Sequence, residues 1–229
     1  MVLLLFGPPG CGKGTQSEAI ERLTGYPAIS TGSILREASR INDGQATRLR
    51  SILNRGELVD DSTVNRALIH RIRQPDCRGG FLLDGFPRTV SQAQTLDRFL
   101  ADSRLAGPLV LHLDVAPDVL IQRIASRRQC PECGRIYNLL HRPPLRAAHC
   151  DADETPLVCR ADDDEAVVAA RLAAYKEMTD PLIAYYRGAR YFRLDGERTP
   201  EEVGRELEGI LTEAGVTAHA AVRKHRHSG

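Results

Sequence analysis

The chain has 229 residues, of which 42% are hydrophobic and 27% are charged, a composition typical of a folded globular protein. Its 31 Lys and Arg nearly balance 30 Asp and Glu, so the net charge of +1 creates no overall field that attracts nucleic acid or a membrane surface. Apolar stretches stay well short of the roughly 20 residues of a membrane span. With no recognisable export signal we expect a cytoplasmic protein, whose six cysteines are metal ligands or buried thiols rather than disulfides.

Predicted strands and helices alternate along the chain. Short apolar runs predict buried strands at residues 2–6, 81–83, 109–113 and 191–194. Helical periodicity predicts helices at residues 13–23, 63–73, 91–100, 118–127, 164–187 and 200–214. This alternation predicts an α/β fold, with a parallel sheet and helices on both of its faces.

Three segments do not fit the alternation. Residues 30–59 are helical and loop-like, with no predicted strand. Residues 130–159 are rich in Cys, Pro and His and have no helical periodicity. We interpret both as inserts on the α/β core. Residues 217–229 are basic and poor in apolar side chains, which predicts a disordered tail.

A glycine-rich loop directly follows the first predicted strand and leads into a helix. Residues 7–15 read GPPGCGKGT, and such glycines allow successive backbone N–H groups to surround phosphate oxygens. Lys13 would neutralise the phosphates, and Thr15 would help to hold Mg²⁺. In the usual pattern a Ser or Thr follows the Lys at once, whereas here Gly14 intervenes. The segment predicts a phosphate-binding loop rather than an ordinary turn.

An acidic residue at the end of a second predicted strand accompanies the loop. The predicted strand at residues 81–83 is followed by Asp84 and Gly85. A carboxylate at the carboxyl end of a buried strand is where a phosphate-loop enzyme places the group that organises its magnesium ion. Alone, Asp84 would be interpreted as a turn residue, but beside the loop it predicts a magnesium site.

Five motifs, in one register over most of the chain, resemble the signatures of adenylate kinase. They are GPPGCGKGT at residues 7–15, STG at 30–32, GFLLDGFPRT at 80–89, RADD at 160–163 and the Arg171-Leu172 pair. The resemblance implies the Mg²⁺-dependent reaction ATP + AMP ⇌ 2 ADP, by a nucleoside monophosphate kinase that serves adenine nucleotide homeostasis. It also implies a phosphate-loop core at residues 1–29, 60–126 and 164–216, an AMP-binding insert at 30–59 and a lid at 127–163.

The resemblance further implies a role for individual residues. Those implied to bind ATP are Gly10, Cys11, Gly12, Lys13, Gly14, Thr15, Arg127, Ile136, Tyr137 and Arg198. Those implied to bind AMP are Thr31, Arg36, Glu57, Leu58, Val59, Gly85, Phe86, Pro87, Arg88, Gln92, Arg160 and Arg171. Those implied to act on the transferring group are Lys13, Arg88, Arg123, Arg127, Arg160 and Arg171. Thr15 and Asp84 are implied to hold Mg²⁺.

These roles agree with the chemistry of phosphoryl transfer. The reaction needs alignment and neutralisation of charge on phosphate oxygens more than it needs a general base, and arginines from separate segments supply both. Arg123 and Arg127 are four residues apart, so we expect them to share one helix face.

On the monophosphate side, the resemblance implies that Arg36 and Arg88 clamp the AMP phosphate and that Gln92 recognises adenine. The family commonly has Asp after the STG motif, whereas this chain has Ser33. That substitution removes a carboxylate near the AMP phosphate and is expected to alter the local hydrogen bonding.

The cysteines of the second insert have the spacing of a metal site. Cys130-x₂-Cys133 is followed by Cys150 and then Asp153, which fits two metal-binding turns. A carboxylate can complete such a site, and the lids of some adenylate kinases resemble this three-Cys-plus-Asp arrangement. We favour Asp153 as the fourth ligand of a structural Zn²⁺, with Cys159 as the alternative. Reduced thiols without metal are the competing interpretation.

Two alternative functions stay open at this stage. One is a related kinase whose acceptor is UMP, CMP or GMP, because only the resemblance selects AMP. The other is a zinc-ribbon module that binds nucleic acid and is joined to a phosphate-loop regulatory domain. The near-neutral charge and the few aromatics of the insert disfavour the second. We therefore expect ATP, AMP and ADP as partners, no nucleic acid or membrane, and a monomer.

Overall fold

A computed structural model describes residues 1–39, 44–54, 59–160, 163–188 and 190–216 of the chain. The strands are β1 (Val2–Phe6), β2 (Ala28–Ser30), β3 (Phe81–Asp84), β4 (Leu109–Asp114), β5 (Arg127–Gln129), β6 (Ile136–Asn138) and β7 (Arg190–Asp195). The α-helices are α1 (Lys13–Thr24), α2 (Thr31–Ala38), α3 (Gly44–Asn54), α4 (Asp61–Ile72), α5 (Val90–Asp102), α6 (Pro117–Ala125), α7 (Glu165–Tyr186) and α8 (Pro200–Glu213). The predicted AMP-binding residues Glu57 and Leu58, residues 161–162 of the RADD motif and the predicted tail lie outside the described ranges.

Five strands form one parallel sheet in the order β2-β3-β1-β4-β7. β1 lies in the centre, where Leu3 is opposite Leu82 of β3 on one side and Leu109 of β4 on the other. β2 and β3 therefore lie on one side of β1 and β4 and β7 on the other, so the switch point lies at the carboxyl end of β1. The predicted α/β fold with a parallel sheet is confirmed.

The sheet buries apolar side chains on both faces. Val2, Leu4 and Phe6 of β1 belong to a cluster that includes residues of α4, α5 and α7. The alternate residues Leu3 and Leu5 belong to a second cluster that includes residues of α1, α6 and α8. Burying each such side chain stabilises the fold by about 1.5–3 kcal/mol. Helices thus cover both faces, as the continuous apolar sequence of β1 requires.

The structure corrects two details of the sequence-based expectations. The three-residue strand β2 was not predicted, and Ser30, which we had placed in the first insert, is the last residue of β2. Helix α6 ends at Ala125, so the expectation that Arg123 and Arg127 share a helix face is wrong. The chain leaves the helix at Ser126 because Arg127 pairs with Asn138 in the antiparallel hairpin of β5 and β6.

The two predicted inserts have different structures where they are described. Helices α2 and α3 follow β2 and lie outside the sheet. Residues 127–160 contain the β5–β6 hairpin and isolated bridges, one of which joins Gln129 to Val158. The division into core, AMP-binding insert and lid stays a prediction. Among the described helices, none is both long and apolar enough to cross a membrane.

Candidate active site

A cleft of about 1270 Å³ opens at the carboxyl end of β1 and is lined by residues that end or follow β1, β2, β3, β4 and β7. The ends of parallel strands at a switch point are where open α/β sheets bind ligands. Most of the residues that the sequence predicts for the site line this cleft. They are Gly10, Cys11, Gly12, Lys13, Gly14, Thr15, Arg36, Asp84, Gly85, Pro87, Arg88, Arg123, Arg127, Ile136, Tyr137, Arg160, Arg171 and Arg198.

The glycine loop has a backbone that only glycine adopts readily. Gly10 and Gly12 have φ values of 86° and 100°, and a Cβ on Gly10 would lie 2.7 Å from a side-chain carbon of Ile124. The ammonium group of Lys13, the first residue of α1, donates to the Gly7 carbonyl at 2.7 Å and to the Pro8 carbonyl at 2.9 Å. The loop therefore surrounds a positive charge at a helix N-terminus, an arrangement suited to phosphate.

Cys11 lies inside the loop and is buried, with only 2% of its surface exposed. Burial raises the pKa of its thiol, so Cys11 is protonated at neutral pH. It therefore acts as a small apolar side chain within the loop.

Asp84 ends β3 and faces the cleft. Desolvation in the cleft wall raises the pKa of its carboxyl, whereas Lys13, Arg88 and Arg36 lower it. Three cationic side chains from three separate segments thus favour the ionised form of one carboxyl group. Thr15, in the first turn of α1, lines the same cleft. A carboxylate and a hydroxyl are the oxygen ligands that Mg²⁺ accepts.

The segment after β3 packs against the start of α2. The Thr31 hydroxyl donates to the Gly85 carbonyl at 3.1 Å, and Arg88 Nε donates to the same oxygen at 2.9 Å. Arg36 Nη2 donates to the Ser33 hydroxyl at 3.3 Å. Ser33 therefore supplies a neutral hydrogen-bond partner to Arg36.

Gln92 is held inside the protein rather than exposed to the cleft. It is 3% exposed, its Nε2 donates to Asp61 Oδ1 at 2.7 Å, and its Oε1 accepts the Arg88 backbone N–H at 2.8 Å. Asp61 also accepts a hydrogen bond from the Thr89 hydroxyl at 2.8 Å. The role of Gln92 in adenine recognition stays a prediction. Other predicted AMP-binding residues that are buried and do not line the cleft are Thr31, Val59 and Phe86.

The arginines on the opposite side of the cleft are fixed by different partners. Arg123 Nη1 donates to the Gly196 carbonyl at 2.7 Å, just after β7. Arg127 makes a two-pronged ion pair with Asp163, in which its Nε donates to Oδ2 at 2.8 Å and its Nη2 donates to Oδ1. Arg171 Nη1 of α7 lies 3.9 Å from the same Oδ1. Asp163 thus links an arginine of β5 to an arginine of α7.

The hairpin segment also approaches the core directly. Ile136, Tyr137 and Asn138 of β6 line the cleft, and Arg142 lies 4.0 Å from Glu18 of α1. Both members of that ion pair are about half-exposed, so the contact is weak. The hairpin therefore forms one wall of the cleft.

A cluster of potential metal ligands lies in the same segment. The ligand atoms of Cys130, Cys133, Cys150 and Asp153 all lie within 4.8 Å of one another. The sulfurs of Cys133 and Cys150 are 3.5 Å apart, and the Cys130 sulfur is 3.4 Å from both Asp153 oxygens. Such separations suit four ligands around one tetrahedral ion. Cys159 is exposed and lies outside this cluster.

The cluster consists of two turns with the same hydrogen bonding. The Gly134 N–H donates to the Cys130 carbonyl at 3.1 Å, and the Glu154 N–H donates to the Cys150 carbonyl at 2.9 Å. Gly134 and Glu154 both have positive φ, at 74° and 58°. Asp153 precedes Glu154 and therefore has the position that the second cysteine has in the first turn.

Comparison with known proteins gives the family. The family model described as Adenylate kinase matches residues 5–191. The chain belongs to the adenylate kinase family. It is 45% identical over 211 residues to an adenylate kinase of Thermotoga neapolitana, covering 91% of this chain and 96% of that protein. It is 41% identical over 213 residues to an adenylate kinase of Archaeoglobus fulgidus, covering 92% and 98%. It is 39% identical over 216 residues to one of a Thermoanaerobacter species, covering 94% and 100%.

Adenylate kinases transfer a phosphoryl group reversibly between adenine nucleotides, bind ATP, AMP and ADP, and use Mg²⁺ with ATP. As a member of this family the chain is a phosphotransferase of the nucleoside monophosphate kinase class. The cysteine–aspartate cluster is compatible with a structural zinc ion in such an enzyme.

Sequence reasoning did not predict that Asp163 contacts two arginines of the predicted site. Asp163 is the last residue of the RADD motif, and its side chain is only 4% exposed and contacts Arg127 and Arg171. An acidic residue beside arginines in a motif that resembles a site is the signal that could have indicated it.

Replacing Asp163 with asparagine is expected to lower kcat by about 10- to 100-fold, because Arg127 and Arg171 lose the charge that orients them and small misplacements of site groups have effects of this size. Steady-state rates with ATP and AMP would measure it. Asp164→Asn is the matched control, since Asp164 is exposed and caps α7, and asparagine caps a helix equally well. Equal kcat values for the two variants would contradict the role of Asp163.

Proposed function

We propose that this chain catalyses ATP + AMP ⇌ 2 ADP in the cleft at the end of β1, and so serves adenine nucleotide homeostasis. The observation that carries the proposal is the convergence of cationic side chains from separate segments around the glycine loop and Asp84. The members of that set are Lys13, Arg36, Arg88, Arg123, Arg127, Arg160 and Arg171. A nucleotide pair brings several phosphate charges into one cleft, and this set matches that charge.

The ATP side is built on the glycine loop. Its N–H groups at the start of α1 and the Lys13 ammonium hold the phosphates. Arg123 donates a hydrogen bond to the Gly196 carbonyl, and this bond holds the loop after β7 beside the nucleotide base. Residues assigned to ATP are Gly10, Cys11, Gly12, Lys13, Gly14, Thr15, Arg127, Ile136, Tyr137 and Arg198.

The AMP side is built on the start of α2 and the segment after β3. Arg36 and Arg88 hold the AMP phosphate, and in the ligand-free chain both lower the pKa of the Asp84 carboxyl. The Gln92 amide uses one Nε2 hydrogen for Asp61 and one Oε1 lone pair for the Arg88 N–H. Its second Nε2 hydrogen and second Oε1 lone pair recognise adenine. Residues assigned to AMP are Thr31, Arg36, Glu57, Leu58, Val59, Gly85, Phe86, Pro87, Arg88, Gln92, Arg160 and Arg171.

Transfer itself depends on alignment and charge neutralisation. Lys13, Arg88, Arg123, Arg127, Arg160 and Arg171 neutralise the charge that spreads over the phosphoryl oxygens. No general base is required, because the acceptor is already a phosphate anion. The hairpin segment closes over the nucleotides and excludes water, which would otherwise accept the phosphoryl group.

Magnesium fits the pair formed by Thr15 and Asp84. Both line the cleft, and three cationic side chains lower the pKa of the Asp84 carboxyl, which desolvation raises. When bound, Mg²⁺ supplies further charge neutralisation on the nucleotide phosphates. The protein's part is to hold the carboxylate and hydroxyl beside the glycine loop.

Zinc fits the cluster of Cys130, Cys133, Cys150 and Asp153, and Cys159 is the alternative fourth ligand. The four residues would fill all four positions of a tetrahedral ion, which is the arrangement of a structural site. The apolar core of this segment is very small, with Cys130, Tyr137 and Cys150 buried and Leu157 packed against them. A metal ion compensates for such a small core because its binding energy contributes to folding.

The remaining proposals concern the setting of the enzyme. They are a monomer, a cytoplasmic location and nucleotides as the ligands. The net charge of +1 supports the absence of nucleic acid and membrane as partners. Cationic side chains such as Arg36, Arg88 and Arg123 line the nucleotide cleft.

The acceptor is tested with a panel of nucleoside monophosphates. We expect AMP to give the highest kcat/KM, with UMP, CMP and GMP at least about tenfold lower, the size of effect that one or two lost hydrogen bonds to a base produce. Steady-state rates at fixed Mg²⁺ and ATP would measure this. Faster turnover with any other monophosphate would overturn AMP as the acceptor while leaving phosphoryl transfer intact.

A further inference from the structure

Ser17 carries a buried hydroxyl with no hydrogen-bond partner in the described part of the chain. The residue is 6% exposed and yet lines the nucleotide cleft. Serine and threonine inside helices commonly donate to the carbonyl one turn earlier. Thr24, at the other end of α1, does so to Ile20 at 2.7 Å. Ser17 does not, and a buried polar atom without a partner points to a missing water, ion or ligand.

The position of Ser17 in α1 places this hydroxyl beside the predicted magnesium site. Ser17 follows Lys13 by four residues, so both side chains lie on the same face of the helix. Helix α1 packs against β3, whose last residue is Asp84. The Ser17 hydroxyl is one of the groups that lower the pKa of the Asp84 carboxyl, although the two side chains make no hydrogen bond of ordinary geometry in the ligand-free chain. A donor with no partner thus lies next to an acceptor that the reaction uses.

We propose that Ser17 is a positioning residue for Asp84, whose O–H donates to the Asp84 carboxylate when a magnesium nucleotide occupies the cleft. The inference rests on the proposed function, because it takes Asp84 as the carboxylate that holds Mg²⁺. A carboxylate has about four acceptor sites, so it can accept from Ser17 while facing the cation. Ser17 thereby fixes which carboxylate oxygen faces the cleft, and it does not contact the transferring group.

Calorimetric titration of the full-length protein with the non-hydrolysable ATP analogue AMP-PNP, with Mg²⁺ and with EDTA, tests the proposal. We expect Ser17→Ala to weaken binding of the magnesium complex about tenfold, the effect of losing a hydrogen bond to a charged group. Metal-free binding should change less than about twofold, because the phosphate contacts of the glycine loop are intact. The metal-free Tm should not fall, since the variant removes a hydroxyl that has no partner in that state.

Thr24→Val is the matched control on the same helix. It removes a buried hydroxyl that does have a partner and does not line the cleft, so its Tm should fall while both affinities stay unchanged. An unchanged ratio of magnesium to metal-free affinity in Ser17→Ala would overturn the proposal, as would a fall in Tm without a change in that ratio. Failure of the proposed function is distinct, because the wild-type protein would then show no gain in affinity from Mg²⁺.

Discussion

Replacing Lys13 with alanine is expected to lower kcat for phosphoryl transfer by about a thousandfold. Removing one preorganised donor from developing charge lowers kcat by roughly 100- to 1000-fold, and Lys13 also organises the loop through the Gly7 and Pro8 carbonyls. The ammonium group also lowers the pKa of the Asp84 carboxyl, more than Arg88 or Arg36 does. A coupled assay of ADP formation at saturating ATP and AMP would measure the loss.

Lys176→Ala is the matched control, because Lys176 is exposed on α7 and does not line the cleft. It should retain wild-type kcat. Far-UV circular dichroism and Tm should stay close to wild type for Lys13→Ala, since Lys13 belongs to neither apolar cluster. Turnover by Lys13→Ala within about tenfold of wild type would show that Lys13 does not act on the transferring phosphate.

Replacing Cys150 with serine is expected to abolish zinc binding and to lower Tm by about 10 °C. Cys150 is 2% exposed and its sulfur also accepts a hydrogen bond from the Tyr137 hydroxyl at 3.4 Å, so it lies at the centre of the segment's small core. Loss of a structural zinc removes several kcal/mol of folding energy, and each kcal/mol corresponds to about 2–4 °C in a chain of this size. Elemental analysis and thermal unfolding would measure both effects.

Cys159→Ser is the matched control, because Cys159 is an exposed cysteine outside the cluster. It should keep about one zinc per chain, whereas Asp153→Ala should lose it. The chain should end at Val216 in all variants, which removes the histidines of residues 217–229 as competing ligands. Retention of zinc by Asp153→Ala together with its loss from Cys159→Ser would make Cys159 the fourth ligand. Absence of zinc from the parent protein would contradict the metal site.

The centre of the fold, which is β1 and the glycine loop after it, could be predicted because the properties of these residues alone determine their structure. The apolar run of β1 is buried on both faces, and glycines at positive φ must follow it for the loop to form. Strand β2 was missed because it has three residues and only Ile29 among them is buried. Its apolar pattern is too short to distinguish it from a loop, and its place in the sheet depends on pairing with β3.

The parts of the site that the sequence did not predict depend on contacts between distant residues. Gln92 is buried through Asp61, which lies 31 residues away, and Arg127 is held by Asp163, which lies 36 residues away. The spacing of Arg123 and Arg127 suggested one helix, but the hairpin pairing of Arg127 with Asn138 ends the helical segment first. The identity of the residues indicated which side chains gather around phosphate. The residues that hold those side chains in place could be identified only from the tertiary structure.

The central claim is that this protein transfers a phosphoryl group from ATP to AMP. Phosphorus NMR of the wild-type protein with ATP, AMP and Mg²⁺ follows substrates and products together. The account predicts that two ADP appear for each ATP and AMP consumed, that no inorganic phosphate accumulates, and that ADP alone is converted back to ATP and AMP. Release of inorganic phosphate with AMP unconsumed, or no reaction in the presence of all three, would contradict it.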